Sequence, residues 1–317
     1  MLPLVSLRCG GVASAASAAS AASSAVSVSA GSARRGLSWV GRAGLRRGTR
    51  MQSAASGAAP AGQWDAGRRM MRARYHVSDV AKTVEYMEGV YGMRVVEGDG
   101  GRGGGGETTV GFDKDAFCIT LLARDGEAGP LDLGAGFGHM GLQVDDVYSA
   151  VDKVKAAGGL VSREAGPVKG GSTHIAFVKD PDGYSFELLQ RPPTPERINQ
   201  VMLRTGDLDA STGFYARCLG MTELRRRVNE QYAYTLQFVG YGEDDLLIPV
   251  MELTYNHGKD GKDAYDKGNA YDGVELATSD LERTRAELED LGVEVERLGQ
   301  GRIACKDPDG YTVYFRG

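Results

Sequence analysis

The sequence predicts an α+β fold of four small units, each with a strand, a helix and about three further strands, paired into two domains. An internal repeat is the first observation: the turn sequence DPDGY at 180–184 recurs at 307–311, and Gly92-Met93 recurs as Gly220-Met221. The second is a set of four helical segments, each followed by short strand-like runs. A length of 317 residues allows two domains that each bury a core.

Each of the four helices is expected to begin near a serine or aspartate that can cap it, and to end at a glycine. The glycines that mark these ends are Gly92, Gly158, Gly220 and Gly292. In the fourth helix, Leu281, Leu288 and Leu291 recur at helical spacing. We therefore expect these three leucines to pack on the same surface.

Short runs typical of strands follow each helix, for example HIAFVK and YSFELLQ on either side of the first DPDGY turn. The tract PPTP at 192–195 can neither continue a helix nor donate hydrogen bonds within a central strand. We therefore place the domain boundary there, with one domain at 70–192 and the other at 196–317.

The first 64 residues have a composition of their own, with no Asp or Glu but seven Arg among Ala, Ser and Gly. This pattern is typical of an organelle transit peptide, and a disordered low-complexity tail is the alternative. Setting those seven arginines aside leaves 30 basic against 42 acidic residues, which argues against nucleic acid as a partner. No apolar stretch approaches the length needed to cross a bilayer, so we expect no membrane partner for the mature form.

The repeat aligns four positions at which one copy has a possible metal ligand and the other does not. Gln200 is equivalent to Arg72, Glu252 to Thr120, His139 to Gly273, and Glu187 to Tyr314. The late half of the first copy and the early half of the second are therefore intact. Scattered loss would leave no complete set, whereas this pattern leaves one set that both copies supply together. We expect a single site, between the two domains.

Taken one at a time, these residues have plainer interpretations, such as salt-bridged glutamates, a hydrogen-bonded histidine and a surface amide. Taken together, two carboxylates, an imidazole and an amide form a site suited to Zn, Ni, Co or Mn, with room for water or substrate oxygens. A closed structural zinc site more often uses thiolates. Such an ion can hold two neighbouring substrate oxygens and stabilise the enediolate formed when a carboxylate removes a proton next to a carbonyl. The reaction predicted from this set is an isomerisation.

Several segments resemble glyoxalase I, or lactoylglutathione lyase, of the vicinal oxygen chelate fold, in the fused two-domain form of plants and algae. The segments that carry the resemblance include VMLRTGDLDASTGFYARCLGMTELRR, VMELTYNHG, GFGHMGLQVDDV and DPDGYSFELLQRP. The resemblance covers roughly residues 72–317. It implies four βαβββ modules paired into two glyoxalase-type domains, with each metal site shared between them.

The resemblance also implies roles for the aligned residues. Gln200, Glu252, His139 and Glu187 match the metal ligands, in a set similar to that of zinc-using members. Glu187 matches the principal base, and Glu252 a base for the opposite substrate enantiomer. The implied substrate is the hemithioacetal of methylglyoxal and glutathione, and the implied product is S-lactoylglutathione.

Three further residues match family positions that contact glutathione: Arg204, Asn256 and Lys169. Arg204 could hold a carboxylate by paired hydrogen bonds. Ala135 departs from members that have arginine at this position, so that contact is expected to be missing or replaced. The fused form implies a monomer with an internal pseudo-dimer, and with the leader it favours a plastid over a mitochondrion.

Two alternatives stay open at this point. The chain could be a non-catalytic protein that binds glutathione or a metal, or a lyase for another thiol or 2-oxoaldehyde. An extradiol dioxygenase of the same fold would need two histidine ligands, and only His139 lies at a ligand position. The presence of both Glu187 and Glu252 favours the isomerase, because binding alone would not require a base.

Overall fold

The computed structural model describes residues 67–102, 106–124, 129–168 and 171–317. Within them, one βαβββ unit occurs four times, and we number the units as modules 1 to 4. Module 1 contains β1 (Arg69–Val77), α1 (Val80–Tyr91), β2 (Arg94–Glu97), β3 (Glu107–Gly111) and β4 (Cys118–Ala123). Module 2 contains β5 (Phe137–Val144), α2 (Val147–Ala156), β6 (Leu160–Pro167), β7 (His174–Lys179) and β8 (Ser185–Gln190).

Modules 3 and 4 repeat the same order of elements. Module 3 contains β9 (Ile198–Arg204), α3 (Leu208–Gly213), β10 (Thr222–Asn229), β11 (Tyr234–Gly240) and β12 (Val250–Asn256). Module 4 contains β13 (Tyr271–Ala277), α4 (Leu281–Asp290), β14 (Val295–Leu298), β15 (Arg302–Lys306) and β16 (Thr312–Arg316). Modules 1 and 2 form the first repeat of the chain, and modules 3 and 4 form the second. The α+β vicinal oxygen chelate architecture expected from the sequence is therefore confirmed.

The four modules assemble into two sheets of eight strands, and each sheet takes one module from each repeat. Sheet A has the order β14-β15-β16-β13-β1-β4-β3-β2, and sheet B has the order β10-β11-β12-β9-β5-β8-β7-β6. The two repeats meet inside each sheet at an antiparallel strand pair, β1 with β13 and β5 with β9. Module 2 and module 3 therefore share sheet B, although they belong to different repeats.

The helix ends follow the sequence pattern closely. An aspartate caps the start of each of the four α-helices in the described segments, and Gly92 ends α1 with a left-handed φ of 72°. Helix α3 continues into a π-helical turn, Phe214–Cys218. The prediction for Leu291 is wrong, since its side chain is 50% exposed. Helix α4 ends at Asp290, and Leu291 is its C-cap, with φ −85° and ψ 2°, so its side chain leaves the packed face.

The two DPDGY turns tie the sheets together. Tyr184, in the turn between β7 and β8, donates its hydroxyl to the carbonyl of His76 at 2.6 Å. Tyr311, in the turn between β15 and β16, does the same to the carbonyl of Arg204 at 2.9 Å. Each bond runs from one sheet to the end of a central strand in the other. The turns therefore fix where β1 and β9 end.

One hydrophobic cluster runs through both repeats rather than forming two separate cores. Beside it, the rings of Phe137 and the partly buried Tyr271 stack with centroids 5.0 Å apart, joining modules 2 and 4. The central strand pairs therefore pack against one continuous core.

Within the described residues, no helix is long and apolar enough to span a membrane.

Candidate active site

Sheet B brings together the four side chains that the repeat analysis singled out. His139 lies on β5, Glu187 on β8, Gln200 on β9 and Glu252 on β12. Each is at most 6% exposed. One potential ligand atom from each of His139, Glu187 and Glu252 lies within 4.8 Å of the others. Residues from both repeats therefore form one buried set of donors.

The strand register explains why these donors converge. Gly141 of β5 pairs with Gln200 on one side and with Glu187 on the other. A Cβ atom at Gly141 would lie 2.5 Å from the Cβ of Gln200, so a side chain there would displace the amide. Register shifts on either side of this pair, near His139, turn β5 locally. The absence of a side chain at Gly141 leaves room for the donors.

The amide of Gln200 lies at the centre of the set. Its Nε2 atom is 3.0 Å from His139 Nε2 and 3.3 Å from Glu187 Oε2, and it also contacts Glu252 Oε2. Nitrogen and oxygen of an amide exchange places on a half turn of the side-chain torsion. That turn would direct Oε1 at the same centre, giving four donors of the kinds that bind a divalent ion.

Burial acts strongly on Glu252. Loss of solvent raises the pKa of Glu252 to about 7, with Glu187 adding to the effect and His139 opposing it. Two carboxylates that share a dry site repel each other unless a positive charge stands between them. His139 Nε2 is 3.3 Å from Glu187 Oε2 and 3.8 Å from Glu252 Oε2, so the imidazole lies close to both carboxylates. The donor set therefore fits a divalent cation.

We expect the metal-free chain to bind a divalent ion more weakly as the pH falls below about 7. Below the raised pKa of Glu252, about 7, the folded chain holds a proton that the ion must displace. The apparent affinity should then fall roughly tenfold per pH unit toward pH 5. Calorimetry in buffers of different ionisation enthalpy would count the released proton. Glu252→Gln keeps an oxygen donor without this proton, so its affinity should vary less with pH, and an equal slope would contradict the assignment.

Two candidate glutathione contacts lie at one end of the donor set. Arg204, four residues after Gln200, donates Nη1 to the carbonyls of Ala135 at 2.7 Å and Phe137 at 3.3 Å. Asn256, four residues after Glu252, donates Nδ2 to the hydroxyl of Tyr265 at 2.7 Å. The third candidate, Lys169, lies outside the described residues. Ala135 itself is held by its backbone, which donates to the carbonyl of Asp266 at 2.6 Å.

Apolar side chains flank the donors on both modules, and they were missed from the sequence. The ring of Phe177 stands edge-on to His139, with centroids 5.4 Å apart. Phe238 pairs in register with Glu252 and belongs to a small apolar cluster of module 3. Alternation in the run YTLQFVG could have identified this face, because Tyr234, Leu236 and Phe238 recur every second residue.

The equivalent place in sheet A contains an ion-pair network instead of a donor set. Arg72 stands at the position of Gln200, and its guanidinium lies 2.5 Å from Glu97 and 3.5 Å from Glu275. Glu275 is fully buried and pairs with Arg72 in register, as Gly141 pairs with Gln200. Arg74 and Arg302 also reach Glu275, at 3.4 and 3.8 Å. Across the described residues, sheet A has no second group of three acidic, histidine or cysteine ligands.

Glu275 was not singled out from the sequence. In the structure it is the carboxylate shared by the arginines of the sheet A network. We expect Glu275→Gln to lower the free energy of unfolding by about 3 kcal/mol, because buried arginines lose their shared counter-charge. Urea unfolding would measure this. Glu97→Gln is the matched control, since Glu97 is half exposed and binds arginines of the same network. Equal stability of the two variants would contradict the central place of Glu275.

The chain is similar to known proteins over most of its length. The family model for the glyoxalase/bleomycin resistance protein/dioxygenase superfamily matches residues 69–188 and 197–315. A probable chloroplastic lactoylglutathione lyase of Arabidopsis thaliana is 43% identical over 257 residues, covering 78% of this chain and 72% of the relative. The lactoylglutathione lyase of Oryza sativa subsp. japonica is 39% identical, over 78% of this chain and 88% of the relative.

A solved structure is also similar to this chain. The crystal structure of glyoxalase I from Zea mays superposes with a TM-score of 0.71 at 39% identity, covering 78% of this chain and 92% of that one. The residues matched by the family model, 69–188 and 197–315, contain all four residues of the donor set.

Proposed function

The chain belongs to the glyoxalase I family, also called lactoylglutathione lyase, in its fused two-domain form, and we propose that it uses the donor set of sheet B as its single active site. The substrate is the hemithioacetal of methylglyoxal and glutathione, and the product is S-lactoylglutathione. The observation that carries the proposal is the convergence of two buried glutamates, one from each repeat, with His139.

Four residues would hold the metal: His139, Glu187, Gln200 and Glu252. When bound, a divalent ion would supply Lewis-acid stabilisation of negative charge that develops on the substrate oxygens. We propose zinc, because a set with one imidazole, two carboxylates and one amide resembles that of zinc-using members. Nickel, cobalt and manganese suit the same donors, so metal analysis of the active enzyme decides among them.

The glutamates carry the proton chemistry. Glu187 removes the proton from the substrate carbon bonded to sulfur, and a proton is returned to the neighbouring carbon, so the product is an isomer with no atom gained or lost. Glu252 does the same for the opposite enantiomer of the hemithioacetal. Both are at most 2% exposed, which keeps water from competing for the proton. Arg204 and Asn256 position the glutathione part at one end, and Lys169 is proposed as a further contact.

Turnover tests the proposal directly. The metal-stripped chain lacking residues 1–64 is mixed with the methylglyoxal–glutathione adduct, and thioester formation is followed by absorbance after adding Zn, Ni, Co or Mn singly. Metal-dependent thioester formation is expected. Binding of a metal without product from any ion would favour a non-catalytic binding protein. Product from another 2-oxoaldehyde adduct, but not from methylglyoxal, would favour a different lyase.

We expect Arg204→Met to raise KM for the hemithioacetal about tenfold with a smaller change in kcat. The reason is that a charge-assisted hydrogen bond to a glutathione carboxylate contributes about 1.5–3 kcal/mol to binding. Steady-state kinetics at saturating metal measures both constants. Arg226→Met is the control, because Arg226 bonds Asp209 at the surface. A fall in kcat alone would remove Arg204 from substrate binding.

The leader and the assembly state are further proposals. Residues 1–64 lie outside the described residues, and their Arg-rich, acid-free composition supports a transit peptide that directs the enzyme to a plastid rather than a mitochondrion. Import into isolated organelles distinguishes the two. We propose a monomer, because both halves of each sheet come from one chain, and light scattering that gave a dimer mass would contradict it.

A further inference from the structure

Two arginines lie beyond the donor set, on the side remote from Arg204. Arg191 follows Glu187 by four residues on the β8 line, and its backbone N–H donates to the carbonyl of Val144 at 3.1 Å. Strands β5 and β8 are parallel, whereas β9 is antiparallel to β5. Moving from Glu187 to Arg191 therefore leads away from the end at which Arg204 lies.

Arg225 of β10 reaches the same end from the other repeat. It pairs in register with Phe238, which pairs with Glu252. Its guanidinium stacks over the Phe238 ring at 4.3 Å and binds Asp245, in the loop between β11 and β12, at 2.6 Å. Arg191 and Arg225 thus approach the donor set from modules 2 and 3 respectively.

The hydrogen-bond donors of these two arginines are incompletely used. Arg191 is half-buried, and its side chain has no hydrogen bond or ion pair with another described residue. The buried Nε of Arg225 also lacks a partner among them. An arginine removed from water without a counter-charge is unfavourable. Burial lowers the pKa of Arg191, and the carboxylates of Glu187 and Asp245 oppose that shift.

The neighbouring acids offset the burial of this positive charge only in part, since the pKa of Arg191 stays lowered. Asp245 is already paired with Arg225. Asp244 is exposed and accepts the backbone N–H of Leu246 at 2.9 Å. Glu187 belongs to the donor set. Arg191 therefore offers a planar, forked group of free donors, which suits a carboxylate or phosphate.

We propose that Arg191 and Arg225 form an anion subsite for the aldehyde-derived part of the substrate, so that the enzyme favours 2-oxoaldehydes with a carboxylate or phosphate at the far end. The inference rests on the proposed function, because the glutathione part is placed at the Arg204 end. It adds no chemical step, since the same proton transfer isomerises charged and uncharged adducts.

Glutathione adducts of phenylglyoxal and 4-carboxyphenylglyoxal test the subsite, because they differ only by the carboxylate. In the zinc-loaded enzyme, kcat/KM is expected to be at least about tenfold higher for the carboxylated adduct, the effect of one charge-assisted hydrogen bond. Arg191→Met should remove most of this preference. Arg226→Met is the control, because it removes an arginine that pairs with Asp209 at the surface. Its preference for the carboxylated adduct should equal that of the unaltered enzyme.

Each result has a separate meaning. Equal kcat/KM for the two adducts, or a preference that survives in both Arg191→Met and Arg225→Met, overturns the subsite. If Arg191→Met does not fold, competition by inorganic phosphate replaces it, and phosphate must inhibit the carboxylated adduct more strongly. Equal inhibition of both adducts assigns the arginines to a free anion and overturns the substrate assignment. No turnover of any adduct, methylglyoxal included, contradicts the proposed function instead.

Discussion

Replacing Glu187 with glutamine should lower kcat for the methylglyoxal adduct by roughly 10³-fold or more, since a positioned base contributes 10² to 10⁴-fold and its charge also belongs to the metal site. Glutamine has nearly the same shape and keeps an oxygen donor. Glu187 is 1% exposed, so bulk water is a poor replacement for the base. Stopped-flow or steady-state thioester formation at saturating metal measures the loss.

Loss of the base must be distinguished from loss of the metal or the fold. Metal content per chain should stay near that of the unaltered enzyme, because three donors and the glutamine oxygen remain. Glu275→Gln is the matched control, as it removes a buried carboxylate from the equivalent depth of sheet A. Assayed below its unfolding temperature, that variant should retain turnover. Unchanged kcat in Glu187→Gln would take Glu187 out of the mechanism.

Chelation of the metal should reduce turnover by at least about 10³-fold, because the charge that develops on the substrate oxygens would lose its main stabilisation. When the ion is added back, activity should rise linearly with the amount of ion and level off at one ion per chain. Sheet A supports that number, since Arg72 occupies the place of an amide donor and is bonded to Glu97 and Glu275. Titration with simultaneous metal analysis gives both values.

If activity levelled off only at two ions per chain, the arginine network of sheet A would have to open and admit a second metal. Arg72→Gln tests further whether sheet A can bind a metal. This variant restores the amide of sheet B at the equivalent position but leaves Gly273 and Tyr314 without ligand atoms of the right kind. Its stoichiometry should remain one ion per chain.

The internal repeat made the four donors predictable, because each lies at a position that the other copy marks by its loss. The repeat also predicted which halves would meet. Glu275 could not be identified in this way, since its burial depends on the register that pairs it with Arg72. Arg191 escaped for a related reason: it follows the last β8 residue, and nothing local reveals that its side chain lacks a counter-charge. The prediction that Leu291 packs with Leu281 and Leu288 failed because α4 ends at Asp290. The direction of the Leu291 side chain is therefore set by the helix end and not by helical spacing.

Because each sheet takes one module from each repeat, neither repeat can complete the donor set without the other. A fragment with only modules 1 and 2 could pair with a second copy of itself, but its sites would combine Arg72 and Thr120 with His139 and Glu187. A fragment with only modules 3 and 4 would combine Gln200 and Glu252 with Gly273 and Tyr314. Neither homodimer has a complete set of donors. A gene split between the repeats would therefore yield activity only when both products are present together.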